Sequence, residues 1–477
     1  MQSNLGKLNG VRRGQTCDCG ADNNRYNDDV VEKITETKTM SLKKHTRREW
    51  LTMTATALAV PMFIPRTVFA QGARPGANER LGIAGIGVGR FGGPLLDRVL
   101  RDERTVAICV CDVLKPRANE VATRHGLSSE HAYQDYRKVI ERNDVDAIVI
   151  ATPDHWHALP SVSAALAGKH LYIEKPVSLT IEDGKLMRAA ARKTGVVVQS
   201  GSQLRSGVQI GVCRQFIREG GLGKITEVIA ANYESPWLAN LPAEQIPEGL
   251  DWDMWCGPTE PVPYSREVFR PRGDVGPGWI SLRPYSGGEM ADWGTHGLDQ
   301  LQFALDLDDT GPVEILVEGE KLVPPVYSEP ENRERGNRIG AQPRLTCRYA
   351  NGITMRLDNG DRGGGIIVGE KGRIEIAGGN VTSNPSELLE EFRREHGVPE
   401  RPSHTADWLN CIYNGDTPVG ELETGIRVAT LCHILNIARF VGRNLQWDPV
   451  KEEFIGDAEA NTWLKREHRA GFEMPAV

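Results

Sequence analysis

Two groupings in this chain have the residue types and spacing to do chemistry together. The run Leu81-Gly82-Ile83-Ala84-Gly85-Ile86 leads into Gly87-Val88-Gly89-Arg90-Phe91-Gly92, an apolar strand pattern ending in G-x-G-x-x-G. Roughly eighty residues later, His170-Leu171-Tyr172-Ile173 leads into Glu174-Lys175-Pro176. Glycines at the first spacing permit a tight turn, let backbone N–H groups approach a pyrophosphate, and allow helix and strand to pack closely. The helix that follows then favours phosphate charge at its N-terminus. Gly87, Gly89, Arg90, Phe91 and Gly92 are therefore candidate dinucleotide-binding residues. A lysine fixed by a proline at the end of a later strand would put a proton-transfer group beside that dinucleotide. The combination points to hydride transfer at an alcohol carbon.

The elements that must position these residues follow an alternating pattern. Arg80–Ile86 reads as a buried parallel strand and Phe91–Leu100 as its helix. The next strand, Thr105–Cys111, ends in Asp112, twenty residues after Gly92. A carboxylate there accepts hydrogen bonds from an adenosine ribose and selects NAD over NADP, although Lys115 and Arg117 are close enough to reach a 2′-phosphate. Tyr133-Gln134-Asp135-Tyr136 is expected to open a helix. Val145–Ile150 is the next strand, ending at Ala151-Thr152-Pro153-Asp154-His155-Trp156-His157, where Thr152 and His157 are further cofactor-site candidates. A helix over Leu159–Ala167 leads to the strand before Glu174 and Lys175. A helix over Ile181–Thr194 precedes a strand at Val196–Gln199. Such alternation predicts an α/β, doubly wound parallel sheet with ligands outside the carboxyl ends of its strands. Gly87, Asp112, Thr152 and Lys175 all fall at such ends.

After Ser200 the pattern changes to longer strands and hairpins. Lys224–Tyr233 alternates like a half-buried strand, Leu345–Leu357 is a hairpin turning at Asn351-Gly352, and Gly365–Ile376 is a second one. The expectation is an α+β domain with a mostly antiparallel open sheet, and Pro324–Gln342 as a surface insertion. Within it lies Asp292-Trp293-Gly294-Thr295-His296. On a helix, Asp292 and His296 share a face, where a carboxylate and an imidazole could bind hydroxyls and exchange a proton. Equally, Asp292 could be a helix cap and His296 a core residue. Trp237, Trp252, Trp255, Trp279, Arg270, Arg272 and Arg283 could form a carbohydrate-stacking wall or pack beneath a long loop.

Taken together, the glycine turn, Thr152-Pro153-x-x-x-His157, Glu174-Lys175-Pro176, Asp292-x-x-x-His296 and Gly369-x-x-Gly372 resemble the Gfo/Idh/MocA oxidoreductases, the family of glucose–fructose oxidoreductase and inositol dehydrogenase. Matching elements run from Arg80 to about Trp463. The resemblance implies a Rossmann domain over 78–200 and a substrate and oligomerisation domain over 201–477. It places Lys175 near the nicotinamide and the reacting hydroxyl, with Asp292 binding substrate and His296 as general acid/base. Lys175 could also be the base, if burial and a cationic neighbour lower its pKa. Pro176 is expected to follow a cis peptide bond. The implied cofactor is NAD, with NADP less favoured, and the implied substrate is a sugar or cyclitol acted on by a homo-oligomer.

The N-terminus reads differently. Residues 1–39 are polar and aperiodic. Met40–Leu51 is basic, Thr52–Pro65 is uncharged, and Val68-Phe69-Ala70-Gln71 ends in small residues. Those are the parts of an export signal, too short for a span of about twenty apolar residues. Thr46-Arg47-Arg48-Glu49-Trp50-Leu51 resembles the twin-arginine consensus, so residues 40–70 are expected to direct folded protein to the periplasm, with Met40 as the initiator and cleavage near Ala70-Gln71. No membrane span is expected in the mature protein. The net charge of −7 argues against a nucleic-acid partner. The nine cysteines give no zinc or disulfide framework, so no metal is expected.

The leading reading is an exported NAD(P)-dependent oxidoreductase acting on a sugar or cyclitol hydroxyl with tightly bound nicotinamide. One alternative is an NAD-requiring glycoside hydrolase that works by transient oxidation, elimination and re-reduction. Another is a non-catalytic cofactor-binding protein, against which Lys175, Asp292 and His296 argue.

Overall fold

The computed structural model describes residues 80–270, 278–328, 342–358 and 360–477. The polar leader, the twin-arginine signal, Arg272 and most of the Pro324–Gln342 insertion lie outside the described residues.

The first domain is a parallel sheet of six strands: β1 Leu81–Ile86, β2 Thr105–Cys111, β3 Ala132–Tyr133, β4 Ala147–Ile150, β5 His170–Ile173 and β6 Val198–Ser200. Its order is β3-β2-β1-β4-β5-β6, which reverses between β1 and β4. Two turns open at this switch point, the one after β1 carrying the glycines and the one after β4 carrying Thr152. A ligand crevice belongs there because the neighbouring crossovers leave in opposite directions. The helices at Gly92–Val99, Ala158–Leu166 and Ile181–Thr194 lie close to their expected positions. The last is capped by Thr180, whose side chain accepts from the Asp183 N–H at 3.1 Å, and ends at left-handed Gly195.

Two local expectations shift. Tyr133 does not open a helix; it pairs with Cys111 as the sheet edge, and the helix waits until Arg137–Ile140. The strand expected from Val196 begins at Val198, the residue that pairs with Leu171. In both cases the register of the neighbouring strand decides, and local propensity does not carry that information.

The second domain is built on a nine-stranded sheet. Its strands are β7 Ile225–Ala231, β9 Pro312–Glu318, β11 Arg344–Tyr349, β12 Thr354–Asp358, β13 Gly365–Gly369, β14 Gly372–Ala377, β15 Asn380–Asn384, β16 Leu445–Asp448 and β17 Glu453–Phe454, while the short β8 Leu238–Ala239 and β10 Val326–Tyr327 pair with each other outside it. The order is β15-β14-β13-β7-β12-β11-β9-β16-β17, antiparallel except where β7 runs beside β12. Both expected hairpins form, as β11/β12 and β13/β14. Leu345, Cys347, Tyr349, Ile374 and Ile376 face inward, while Arg344, Arg348, Arg373 and Glu375 alternate outward. One face is therefore core and the other polar.

Helices at Val208–Arg218, Glu289–Ala304 and Leu422–Val441 supply the core's other layer. The last of these is apolar almost all round because it serves two cores. Val428, Leu431, Cys432 and Leu435 pack under the large sheet, whereas Leu422, Ile426 and Ala429 pack into the first domain. Trp408 and Leu409 likewise join Leu95 and Tyr172 in the first domain's other layer. Packing thus crosses the division at residue 200, and the two domains hold one another in place. Among the described residues no helix is long and apolar enough to cross a membrane, and the described cysteines are free and buried.

Candidate active site

A cavity of about 680 Å³ runs from the glycine turn across the ends of β1, β2, β4 and β5 to the helix Glu289–Ala304. Each glycine of the turn has its own steric reason. Gly87 has φ +78°, and a Cβ there would lie 2.7 Å from the Thr152 nitrogen. A Cβ on Gly92 would lie 1.9 Å from the Gly87 oxygen, so helix and turn can close only on glycine. Gly89 is different, because its Cβ would meet nothing nearer than the Arg117 guanidinium at 3.4 Å. The space above Gly89 is open and lines the cavity, as a backbone approached by a pyrophosphate requires. Arg90 and Phe91 line the same end.

Asp112 stands where the spacing put it, 5% exposed at the end of β2. Its carboxylate accepts from the Val88 N–H at 3.1 Å and the Leu114 N–H at 3.0 Å, which ties the two turns together. Arg117 lies 3.3 Å away and partly neutralises it. Burial raises the Asp112 pKa, opposed by Arg117 and those backbone donors.

At the other end, Lys175 follows β5 and is joined to Pro176 by a cis peptide bond. Its Nζ forms a very short ion pair with Asp292 Oδ1 and lies 3.4 Å from the Asp292 carbonyl oxygen. Asp292 is no cap: Gly288 begins that helix, and Asp292 sits in its first turn. His296 lies one turn on and also lines the cavity. Among the described residues neither of its ring nitrogens has a hydrogen-bond partner, and its ring meets the edge of Trp293 at 5.9 Å.

The electrostatics correct one expectation. Burial does press the Lys175 pKa down, but Asp292, Glu174 and Asp154 outweigh it and the net shift is upward. Its neighbours are carboxylates rather than a cation, so Lys175 is a held ammonium and not a resting base. Burial, with Lys175 adding to it, takes His296 down to about 3, so the imidazole is neutral at pH 7. Glu174 is pushed up to about 7 by burial, despite Lys175 beside it. It accepts from Gln203 at 2.7 Å, and a Cβ on Gly201 would strike its carboxyl at 2.6 Å.

His157 does not line the cavity. It is 1% exposed, with Nδ1 2.6 Å from the Pro176 oxygen and Nε2 2.9 Å from the Thr152 oxygen. The ring bridges the ends of β4 and β5 from behind and holds Thr152 and Lys175 in place instead of meeting a cofactor. Sequence spacing reported its nearness to the site but not the side of the backbone on which it lies.

One residue escaped the sequence reading. Asp154 is 3% exposed, lines the cavity, and leaves Oδ2 without a protein partner among the described residues. Burial pushes it up to about 7, with Lys175 opposing. Its signal was its place among the site-forming residues after β4. The aromatic segment divides. Trp237, Trp252 and Trp255 are core, the last two stacked at 4.5 Å, while Arg283 stacks elsewhere. Of that group's described residues only Trp255, Trp279 and Arg270 reach the cavity, beside Trp293. Residues 249–251 carry this segment over the first domain: the Lys115 N–H donates to the Gly249 oxygen and the Asp251 N–H to the Val113 oxygen, both at 2.9 Å.

Known proteins can now be set against this geometry. Residues 81–202 match the Gfo/Idh/MocA oxidoreductase family's NAD-binding Rossmann fold, and residues 223–474 match its C-terminal alpha/beta domain. This chain belongs to the Gfo/Idh/MocA oxidoreductase family. Its first domain is accordingly an NAD-binding one, and the open backbone at Gly89 with Asp112 at the end of β2 fits that cofactor. The family is shared with the levoglucosan dehydrogenase of Pseudarthrobacter phenanthrenivorans, 33% identical over 123 residues, which are 26% of this chain and 31% of that protein. The scyllo-inositol 2-dehydrogenase (NAD(+)) of Bacillus subtilis is 34% identical over 117 residues, 24% of this chain and 34% of that one. The chain thus spans about a third of the length of these two curated relatives. An uncharacterized oxidoreductase of B. subtilis, YrbE, is 24% identical over 293 residues, 61% of this chain and 70% of its own. Among solved structures, the aldose-aldose oxidoreductase from Caulobacter crescentus superposes with TM-score 0.52 at 18% identity, covering 77% of this chain and 99% of that one. The WlbA dehydrogenase from Bordetella pertussis gives TM-score 0.51 at 16% identity, covering 77% and 99%. Both likenesses concern the fold.

Proposed function

We propose that the protein transfers a hydride between a secondary hydroxyl carbon of a sugar or cyclitol and NAD. The observation that carries the reading is the Lys175–Asp292 ion pair, with His296 one helical turn away, in a cavity continuous with the glycine turn. NAD, when bound, supplies the hydride acceptor at its nicotinamide; Gly87, Gly89 and Asp112 would hold its pyrophosphate and ribose.

The protein's own part is to bind, orient and move a proton. Asp292 fixes the Lys175 ammonium, which donates to the reacting hydroxyl oxygen and favours the alkoxide that develops there. Neutral His296 accepts the hydroxyl proton during oxidation and returns it in the reverse direction. Trp293, 42% exposed at the cavity wall, offers a face to the sugar ring. The enclosing Trp255 and Phe269 exclude water from the reacting carbon. Names of relatives support the substrate class: levoglucosan, scyllo-inositol and myo-inositol dehydrogenases are among them. The test is a screen of sugars and cyclitols for NAD reduction at 340 nm under single-turnover conditions. A substrate oxidised at the same rate by wild type and Lys175→Ala would sink the reading.

Asp154 favours a second reading. Simple dehydrogenation moves one hydroxyl proton, yet this site holds another carboxyl, Asp154, which lines the cavity and which burial pushes up to about 7. A cycle of oxidation, elimination of an aglycone, water addition and re-reduction needs that extra carrier. Release of phenol from aryl glycosides without net NADH would select it. We propose further that residues 40–70 export the folded protein. Arg47→Lys with Arg48→Lys should then leave unprocessed protein in the cytoplasm, and normal export of that variant would remove the claim.

A further inference from the structure

A second cavity, of about 220 Å³, is formed where Leu179 and Thr180 enter the helix Ile181–Thr194 and Gly287 enters the helix Glu289–Ala304. Among the described residues its charged lining is Arg283, Lys465 and Arg466, with no carboxylate in the wall; Lys465 pairs with Glu467 at 3.4 Å outside the wall. The Arg283 guanidinium lies 4.3 Å from the Trp463 ring centre and 5.6 Å from that of Phe440, two rings that stack on each other at 5.2 Å. Stacking uses the face of a guanidinium and leaves its N–H edges for an in-plane acceptor. Among the described residues those edges meet neither a carboxylate nor a hydrogen-bond acceptor. Arg466 donates to the Arg283 and Pro284 backbone oxygens at 2.6 and 3.4 Å and, among the described residues, forms no ion pair, with Asp183 acting on it only through space.

Two further features favour a ligand. The helix beginning at Ile181 turns its N-terminus towards this space, which adds partial positive charge. Its first-turn Asp183 is engaged by His468 at 3.6 Å. Asn436, 5% exposed, lines the cavity, and its amide donates to the Gly287 oxygen at 2.8 Å. Its carbonyl oxygen is buried with no partner, a state that native structures rarely leave unanswered. A ligand hydroxyl would satisfy it. His433, beside it, is held down to about 4 by burial and is no competing cation at pH 7. Burial holds the half-buried Arg283 guanidinium below its ordinary pKa, a cost that an anion would relieve.

We propose that this cavity binds a phosphate group, free or as a small phosphomonoester, between Arg283 and Arg466. The site is separate from the NAD cavity, yet it touches both supports of the catalytic pair. His433 is 2.9 Å from the Ser178 oxygen, two residues beyond Pro176, and Asn436 holds Gly287 just ahead of the helix that carries Asp292.

Isothermal titration of the NAD-saturated protein, with the pyrophosphate turn filled, tests the proposal using inorganic phosphate and glycerol phosphate in parallel. Saturable binding of one equivalent is expected, with affinity reduced at least tenfold in Arg466→Gln and in Arg283→Met. The methionine retains much of the apolar stem over Trp463, and Arg466 is exposed enough to be replaced without loss of fold; circular dichroism checks both. Tighter binding of glycerol phosphate identifies the ester as the form recognised, whereas equal or tighter binding of inorganic phosphate identifies the free ion. No saturable heat from either probe, or unchanged affinity in both folded variants, overturns the site.

Discussion

The two cavities treat charge in opposite ways. In the large one the described cations at its chemical ends have anionic partners: Arg117 has Asp112, Lys175 has Asp292, and Arg270 has Glu267 at 2.6 Å. In the small one Lys465 has Glu467 at 3.4 Å, but among the described residues Arg283 and Arg466 form no ion pair. A cavity whose charges are already paired binds by shape and hydrogen bonding, and uses its charges on the proton and hydride being moved. One with unpaired cations awaits an anion. The first arrangement suits neutral polyols and the second does not. The difference also explains how Lys175 can be enclosed yet charged, because several carboxylates together outweigh its desolvation.

The largest effect should come from breaking the pairing in the large cavity. Lys175→Ala and His296→Ala are each expected to reduce single-turnover hydride transfer by roughly 10²–10⁴-fold, the scale of a lost acid/base or electrostatic group. NAD affinity should hold within a few-fold, and the double variant should lose less than the product of the two. Arg466→Gln, in the other cavity, should leave the phosphate-free rate unchanged. A comparable fall there would mean that the two cavities are not separate in function.

Next in size are the glycines. Gly92→Ala forces a Cβ to within 1.9 Å of the Gly87 oxygen and should destabilise the fold by about 1–3 kcal/mol, read from denaturant midpoints. Gly89→Ala meets nothing closer than 3.4 Å and should fold normally while binding NAD more weakly. Equal losses of stability in both would refute the assignment of Gly89 to the ligand.

Titration separates the buried groups by sign. His155, His157, His404 and His433 are all held down to about 4 by burial. The unfolded chain therefore binds more protons between pH 6.5 and 4, and their stabilising contribution is lost as pH falls through that window. Asp154 and Glu174, held up near 7, act oppositely: they favour the fold below pH 4 and oppose it as pH rises towards 7. His433→Gln should flatten the acid limb of a urea-midpoint profile. Asp154→Asn should remove a limb near pH 7 from kcat/KM, and an unchanged profile would exclude Asp154 from proton exchange.

The smallest effect concerns cofactor choice. Because Arg117 sits against Asp112, discrimination against a 2′-phosphate should be modest. Arg117→Ala should weaken NADP by about tenfold, the scale of one charge contact at intermediate dielectric, with less change for NAD in the same titration. Tighter NADP binding in that variant would show that Arg117 has no part in the choice.

Much of the large cavity was legible in the sequence because it is assembled at strand ends. A strand delivers its last residue to the sheet edge whatever surrounds it, so Gly87, Asp112, Thr152 and Lys175 could be placed by counting. Helical spacing put Asp292 and His296 on one face without deciding between site and core, and both hairpins followed from their turn residues. What the sequence could not supply was direction and partnership across long separations. His157 shares a turn with Asp154, yet one faces the backbone and the other the cavity. The raised pKa of Lys175 depends on Asp292, 117 residues away. The second cavity has no motif, since Arg283, Asn436 and Arg466 meet only after the Leu422–Val441 helix packs between the two domains. Local periodicity determines which face of an element is apolar; only tertiary packing decides which distant charges are brought together and which are left unpaired.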